Sequence, residues 1–214
     1  MQDTPPDRQA RTRGPSPAKT AETQARICAS ALNRFLTEGF ERTRMLDVAR
    51  DAGLAKGTLY LYFPTKEALF EGVLTQLLGD TVARLQLSPP DPGEATNAFL
   101  KRALAPLLTD DKVSLRLSLF RLIIFEGARF PELLNAYRRV VMDPMLAIAR
   151  RLSQRARSRG EIDTDALERV PMLLLSPGLV VTVWNQLFPD EKLEPESVFH
   201  AHLDLIFGPS EATE

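Results

Sequence analysis

The sequence predicts an all-α protein built as a small N-terminal helical unit followed by a larger helical bundle. Three observations carry that expectation. Apolar residues recur at three- and four-residue spacing along most of the chain. Glycine and proline fall where those periodic runs stop. No run alternates as a half-buried strand would, and no internal repeat is visible. With 214 residues, 44% of them hydrophobic and 26% charged, the chain has the composition of a folded protein and enough length to bury a core without disulfides.

Residues 1–19 contain four prolines and scattered arginines (Arg8, Arg11, Arg13) without an apolar period, and are read as a disordered arm. From Thr20, Ile27, Ala31, Leu32, Phe35 and Leu36 make one helical face that Gly39 ends. Thr43 precedes a short second stripe, Met45, Val48, Ala49 and Ala52, as its expected N-cap. Gly53 turns the chain into a second short helix, 56–62, which Pro64 ends. Thr65 caps a connecting helix over 67–88. The segment 89–94, PPDPGE, reads as a linker. Beyond it helices are expected over 95–108, 114–128, 131–159 with a bend near Pro144, 165–188 interrupted at Pro171 and Pro177, and 195–207, before a tail at 209–214.

Charge and cysteine usage exclude several classes. Residues 1–72 hold eleven Lys and Arg against nine Asp and Glu, net +2, and the remainder is net −3, so a basic face in the first part is permitted and a polycation is not. The single cysteine, Cys28, excludes an internal disulfide framework and multi-thiolate zinc, and sits beside Ile27 as a core-packing residue. His200 and His202 are two apart and face different sides of a helix, so they form no metal pair. No nucleophile–histidine–acid set and no phosphate-cradling glycine loop occur, so neither catalysis nor a cofactor is expected. No apolar run of membrane-spanning length or secretory type is found, which suits the cytoplasm.

The informative stretch is 39–70. Two short helices joined by a glycine turn make a helix-turn-helix. In the second, Leu59 and Phe63 face a core, leaving Lys56, Thr58, Tyr60 and Tyr62 for the major groove of double-stranded DNA, with Gly57 permitting close backbone approach. The ordered set Gly39-Phe40, Thr43, Leu46-Asp47-Val48-Ala49, Ala52-Gly53-Leu54, Lys56-Gly57-Thr58-Leu59-Tyr60, Tyr62-Phe63 and Thr65-Lys66-Glu67 resembles the DNA-binding motif of the TetR family of bacterial transcriptional regulators. The resemblance implies an operator-binding domain over 20–66, with Thr43, Arg44, Lys56, Gly57, Thr58, Tyr60, Tyr62 and Lys66 at the DNA. Two positions depart from the pattern: Ala55, where Ser or Thr is usual, and Leu61, where histidine is common, so that any base or phosphate contact from that position is expected to be missing. The run 121–137 resembles the second domain of one branch of the family.

For the second domain, 89–208, the resemblance implies ligand binding and dimerisation. Phe99, Phe120, Ile124, Met142, Met145 and Trp184 are the expected lining for an apolar or amphipathic effector, with Arg121 or Glu126 meeting one charged group. Leu179, Val180, Val183, Leu187, Val198, Leu203 and Ile206 are the expected homodimer interface, a four-helix bundle. The function expected is a repressor released from a palindromic operator. The alternatives are a regulator whose second domain binds a protein partner and, less favoured, an all-α enzyme.

Overall fold

The computed structural model describes residues 17–87, 89–109 and 111–208, and no strand occurs among them. The arginines of the expected arm (Arg8, Arg11 and Arg13) and the tail at 209–214 lie outside the described residues. Helix α1 (Pro17–Glu38) begins three residues before the expected start, with proline in the first turn, where its missing N–H costs nothing. Ile27, Ala31 and Phe35 on α1 are fully buried. Gly39, at φ +83°, turns the chain out of α1, in a conformation that L side chains rarely adopt.

Helices α2 (Met45–Asp51) and α3 (Lys56–Tyr62) pack across the turn at Gly53, φ +65°, and α4 (Lys66–Leu74) starts where Thr65 Oγ1 accepts the Ala68 N–H. Phe35, Phe40 and Phe70 meet with ring centroids 5.5–5.8 Å apart, two of the three pairs edge-on, a favoured aromatic geometry. Arg34 ties α1 to α2 through Asp51 at 2.6 Å. Cys28 is buried in this core, and desolvation pushes its thiol up to about 12.

The first core does not stop at the helix-turn-helix. It is continuous with Leu119, Leu122 and Ile123 of α7 (Val113–Glu126), Leu133 and Ala136 of α8 (Pro131–Tyr137), and Val141. A second core joins Leu85 of α5 (Asp80–Leu87), Phe99, Leu100 and Leu104 of α6 (Thr96–Thr109), and Ile148, Ala149 and Leu152 of α9 (Asp143–Ser158). It also takes Leu174 of α11 (Met172–Leu187) and Phe199 and Leu203 of α12 (Pro195–Phe207). The short α10 (Ala166–Arg169) closes one end through Leu167, packed with Ala156 and Ile162.

The structure details two helix expectations and corrects a third. The connecting helix is α4 and α5 joined by a π-helical turn, Thr75–Gly79. A second π turn, Arg138–Met142, joins α8 to α9, and Pro144 falls in the first turn of α9 just after it. The looser turn accommodates the missing proline N–H. Pro177 does not interrupt α11. Its ring leaves the Leu173 carbonyl without the usual N–H four residues on, and Ser176 Oγ donates to that oxygen at 2.8 Å, with His202 Nε2 also at 2.8 Å. His202 is thus a packing histidine between α12 and α11. The 89–94 linker is pinned as well, since Arg155 donates to the Asp91 and Glu94 carbonyls and Arg159 to that of Pro92.

Candidate nucleic-acid interface and ligand cavity

The short α3 is held rigid from beneath. Leu59 is fully buried and Phe63 nearly so, which fixes the rotation of the helix. Lys56, Gly57, Tyr60 and Leu61 are exposed on it, while Thr58 and Tyr62 are half-buried, Tyr62 against the first core. The Lys56 ammonium stands 5.8 Å from the centre of the Tyr60 ring, so cation and aromatic present one surface. Ala55 caps α3 without a side-chain hydrogen bond, and exposed Arg44 does the same for α2.

Two expected DNA contacts have their polar atoms engaged by the protein's own backbone, Thr43 buried and Lys66 half-buried. Thr43 is 2% exposed and its Oγ1 donates to the Gly39 carbonyl at 2.7 Å, so it neither caps α2 nor faces a phosphate. Lys66 Nζ donates to the carbonyls of Phe40 at 2.7 Å and Glu41 at 3.1 Å, and stands 4.4 Å from the centre of the Phe40 ring. Burial pulls its ammonium below the ordinary lysine value, against nearby carboxylates led by Glu67. Both residues secure the turn between α1 and α2.

That turn is braced from the other side by α7. Glu126 Oε2 accepts the Phe40 N–H at 2.9 Å, and a Cβ on Gly39 would stand 2.6 Å from Glu126 Oε1. Arg129 reaches Glu41 at 2.9 Å, and the Phe130 ring lies 5.5 Å from that of Phe40. Glu126→Ala leaves the Phe40 amide unpaired beside a side chain that is 1% exposed. The expected loss is about 1–3 kcal/mol, read as a fall in urea midpoint and faster hydrogen exchange at that amide. An unchanged midpoint and unchanged exchange would show that the brace contributes nothing.

The same helix lines an apolar cavity of about 240 Å³. Of the residues expected from the sequence to meet an effector, Phe120, Met142 and Met145 line it. Phe99, Arg121, Ile124 and Trp184 are not among its lining residues. Phe99 is 1% exposed within the second core. Ile124 follows Ile123, which does line the cavity, and the next residue on a helix is rotated by about 100°. Arg121 donates to Gln186 at 2.8 Å across a separate cleft, and Trp184 Nε1 donates to the Glu191 carbonyl at the surface. The sequence missed Leu78, Val82, Leu104 and Leu107, leucines and a valine that carry no signal distinguishing a cavity wall from packed core. The polar groups at the cavity are Thr81, Arg116 and Tyr137, whose hydroxyl is pushed up to about 12 by burial and is therefore a neutral donor.

On the outside of the bundle, α11 carries an exposed apolar stripe: Leu179, Val180, Val183, Trp184, Leu187 and Phe188, 38–64% exposed, at helical spacing. Leu205 on the neighbouring α12 is 86% exposed. Two residues expected on this surface are not free. Leu203 has no exposed surface and belongs to the second core, and half-buried Ile206 packs on the second and third. Val198 is half-buried.

Residues 27–73 match the family described as bacterial regulatory proteins, tetR family. The HTH-type transcriptional regulator RutR of Escherichia coli K12 is 43% identical over 60 residues, which are 28% of this chain and 28% of that protein. This chain therefore spans less than a third of that relative's length. Salmonella enterica GusR shares the fold with a TM-score of 0.69 at 22% identity, over 90% of this chain and 97% of that one. The TetR-family transcriptional regulator PfmR of Thermus thermophilus does so with a TM-score of 0.61 at 23% identity, over 87% and 100%.

Proposed function

We propose, from the match of residues 27–73 to the tetR family of bacterial regulatory proteins, a transcriptional repressor that binds a palindromic DNA operator as a homodimer and is released by a small apolar or amphipathic molecule. The observation that carries the reading is α3: a short helix fixed by Leu59 and Phe63 that turns Lys56, Gly57 and Tyr60 outward. Arg44 at the start of α2 is the exposed cation beside it, with Thr58 and Tyr62 at the edges. One such helix touches too few bases for a specific site, which calls for two copies. Selection of bound duplexes from random DNA tests the reading, and the absence of any preferred duplex at moderate salt would sink it.

The cavity supports a small molecule over a protein partner as the signal, because it is lined by apolar side chains from several helices and both π turns. In this reading the ligand's polar end meets Thr81, Tyr137 or Arg116, which line the cavity, in place of Arg121 or Glu126, which do not. Leu78, Thr81 and Val82 follow α4 along one continuous helical path, and Lys66 at the start of that path grips the helix-turn-helix. A ligand wedged against them displaces this lever and changes the separation of the two DNA heads. It does so only to the extent that it binds the displaced state more tightly. Phe120→Glu places a charge in the cavity. A compound that raises the melting temperature of the wild type is expected to leave this variant unmoved and still on its operator, with DNA affinity within about threefold of wild type by fluorescence anisotropy. An unaltered response to the compound would remove the cavity from the mechanism. Among the described residues no helix is long and apolar enough to cross a membrane.

A further inference from the structure

The centre of the outward face of α3 is not a polar residue. Successive residues on an α-helix are rotated by about 100°. Leu59, fully buried, therefore places Gly57 and Leu61 on the opposite side, with Tyr60 and Thr58 to either flank. Leu61 is 86% exposed. Single exposed leucines are common on protein surfaces, but this one stands in the middle of the face that the proposed function assigns to the major groove. Gly57 lies one turn before it, and nothing lies within 4 Å of the place a Cβ would take there. A helical side chain leans back toward the preceding turn, yet no side chain covers the backbone at Gly57, so Leu61 stands beside an open stretch of helix. The helix can approach the groove floor closely at that point, and the group it brings there has no hydrogen-bonding capacity.

The major groove offers one apolar feature that such a group can recognise, the C5-methyl of thymine. We infer that Leu61 is a specificity-determining residue that reads a thymine methyl in each half-site. Tyr60, 40% exposed beside it with Lys56 near its ring, flanks that contact. The inference rests on the proposed DNA-binding reading, and its test is built to fail separately from it. The probe is the duplex recovered by selection from random DNA, with each thymine replaced in turn by deoxyuridine, which removes the methyl and leaves base pairing intact. For the wild type, one symmetric pair of replacements is expected to weaken binding about fourfold per half-site and about 15-fold when both are made, the value of one buried methyl at each. For Leu61→Ala the same replacements are expected to change affinity by less than about twofold in total. The leucine is exposed, so the variant keeps the wild-type melting temperature. If no thymine shows the effect, or if Leu61→Ala loses as much as the wild type on every replacement, Leu61 does not read a methyl, although DNA binding itself stands. If no duplex is selected at all, both readings are overturned.

Discussion

Val183→Glu with Leu187→Glu is expected to give a folded monomer that has lost its hold on palindromic DNA. Val183 is 38% and Leu187 64% exposed on α11, neither belongs to a buried core, and glutamates there meet water in a single chain. In a dimer built on this face, each copy would bury a charge against its partner's apolar stripe, which costs heavily where the charge is unpaired. Sedimentation equilibrium at micromolar concentration is expected to change from dimer to monomer while helical circular dichroism is kept. Operator affinity is expected to fall by roughly 100-fold or more, because the second half-site no longer gains from the first. Leu203→Ala makes the contrast. That side chain is wholly inside the second core, so its truncation is expected to cost about 2–5 kcal/mol of stability without an apolar-to-charged change at the subunit surface. A wild type that sediments as a monomer, or a double variant that remains dimeric, would overturn the assignment of this face.

The second large effect concerns Lys66. Lys66→Met keeps the stem of the side chain against the Phe40 ring and removes the donors to the carbonyls of Phe40 and Glu41. Hydrogen bonds from charged groups contribute about 1.5–3 kcal/mol each, so the variant is expected to melt earlier and to bind DNA less well through a loosened α1–α2 turn. The salt dependence separates this from a phosphate contact. Each phosphate neutralised contributes about 0.9 to the slope of log K against log salt. Lys56→Met is expected to reduce that slope by about one for each subunit, whereas Lys66→Met leaves it unchanged. An equal reduction for Lys66→Met would place its ammonium at the DNA.

The all-α class, the arrest of α1 at Gly39, the inward turn of Leu59 and Phe63, and the outward turn of Lys56 and Tyr60 were all legible in the sequence alone. Each depends on neighbours within a few residues: helical phase, a positive-φ glycine, the spacing of apolar positions. The same local rule is blind to what lies across from a face. In α12, Val198, Phe199, Leu203, Leu205, Ile206 and Phe207 are apolar nearly all the way round, so phase does not say that Leu203 belongs to the chain's own core and Leu205 to its surface. From sequence, Lys66 and Thr43 are expected at the DNA because the motif over 39–67 resembles the TetR-family pattern, which places them there. Only the fold brings Phe40 against α7, 86 residues away at Glu126, and gives those polar groups carbonyl partners in the turn between α1 and α2. The cavity likewise exists only where several helices and two π turns fail to close on one another, and no single helix records that gap. Local spacing determined which residues of this protein form helices. Contacts between residues far apart in sequence decided which of its apolar faces are core, which stay exposed, and which enclose empty space.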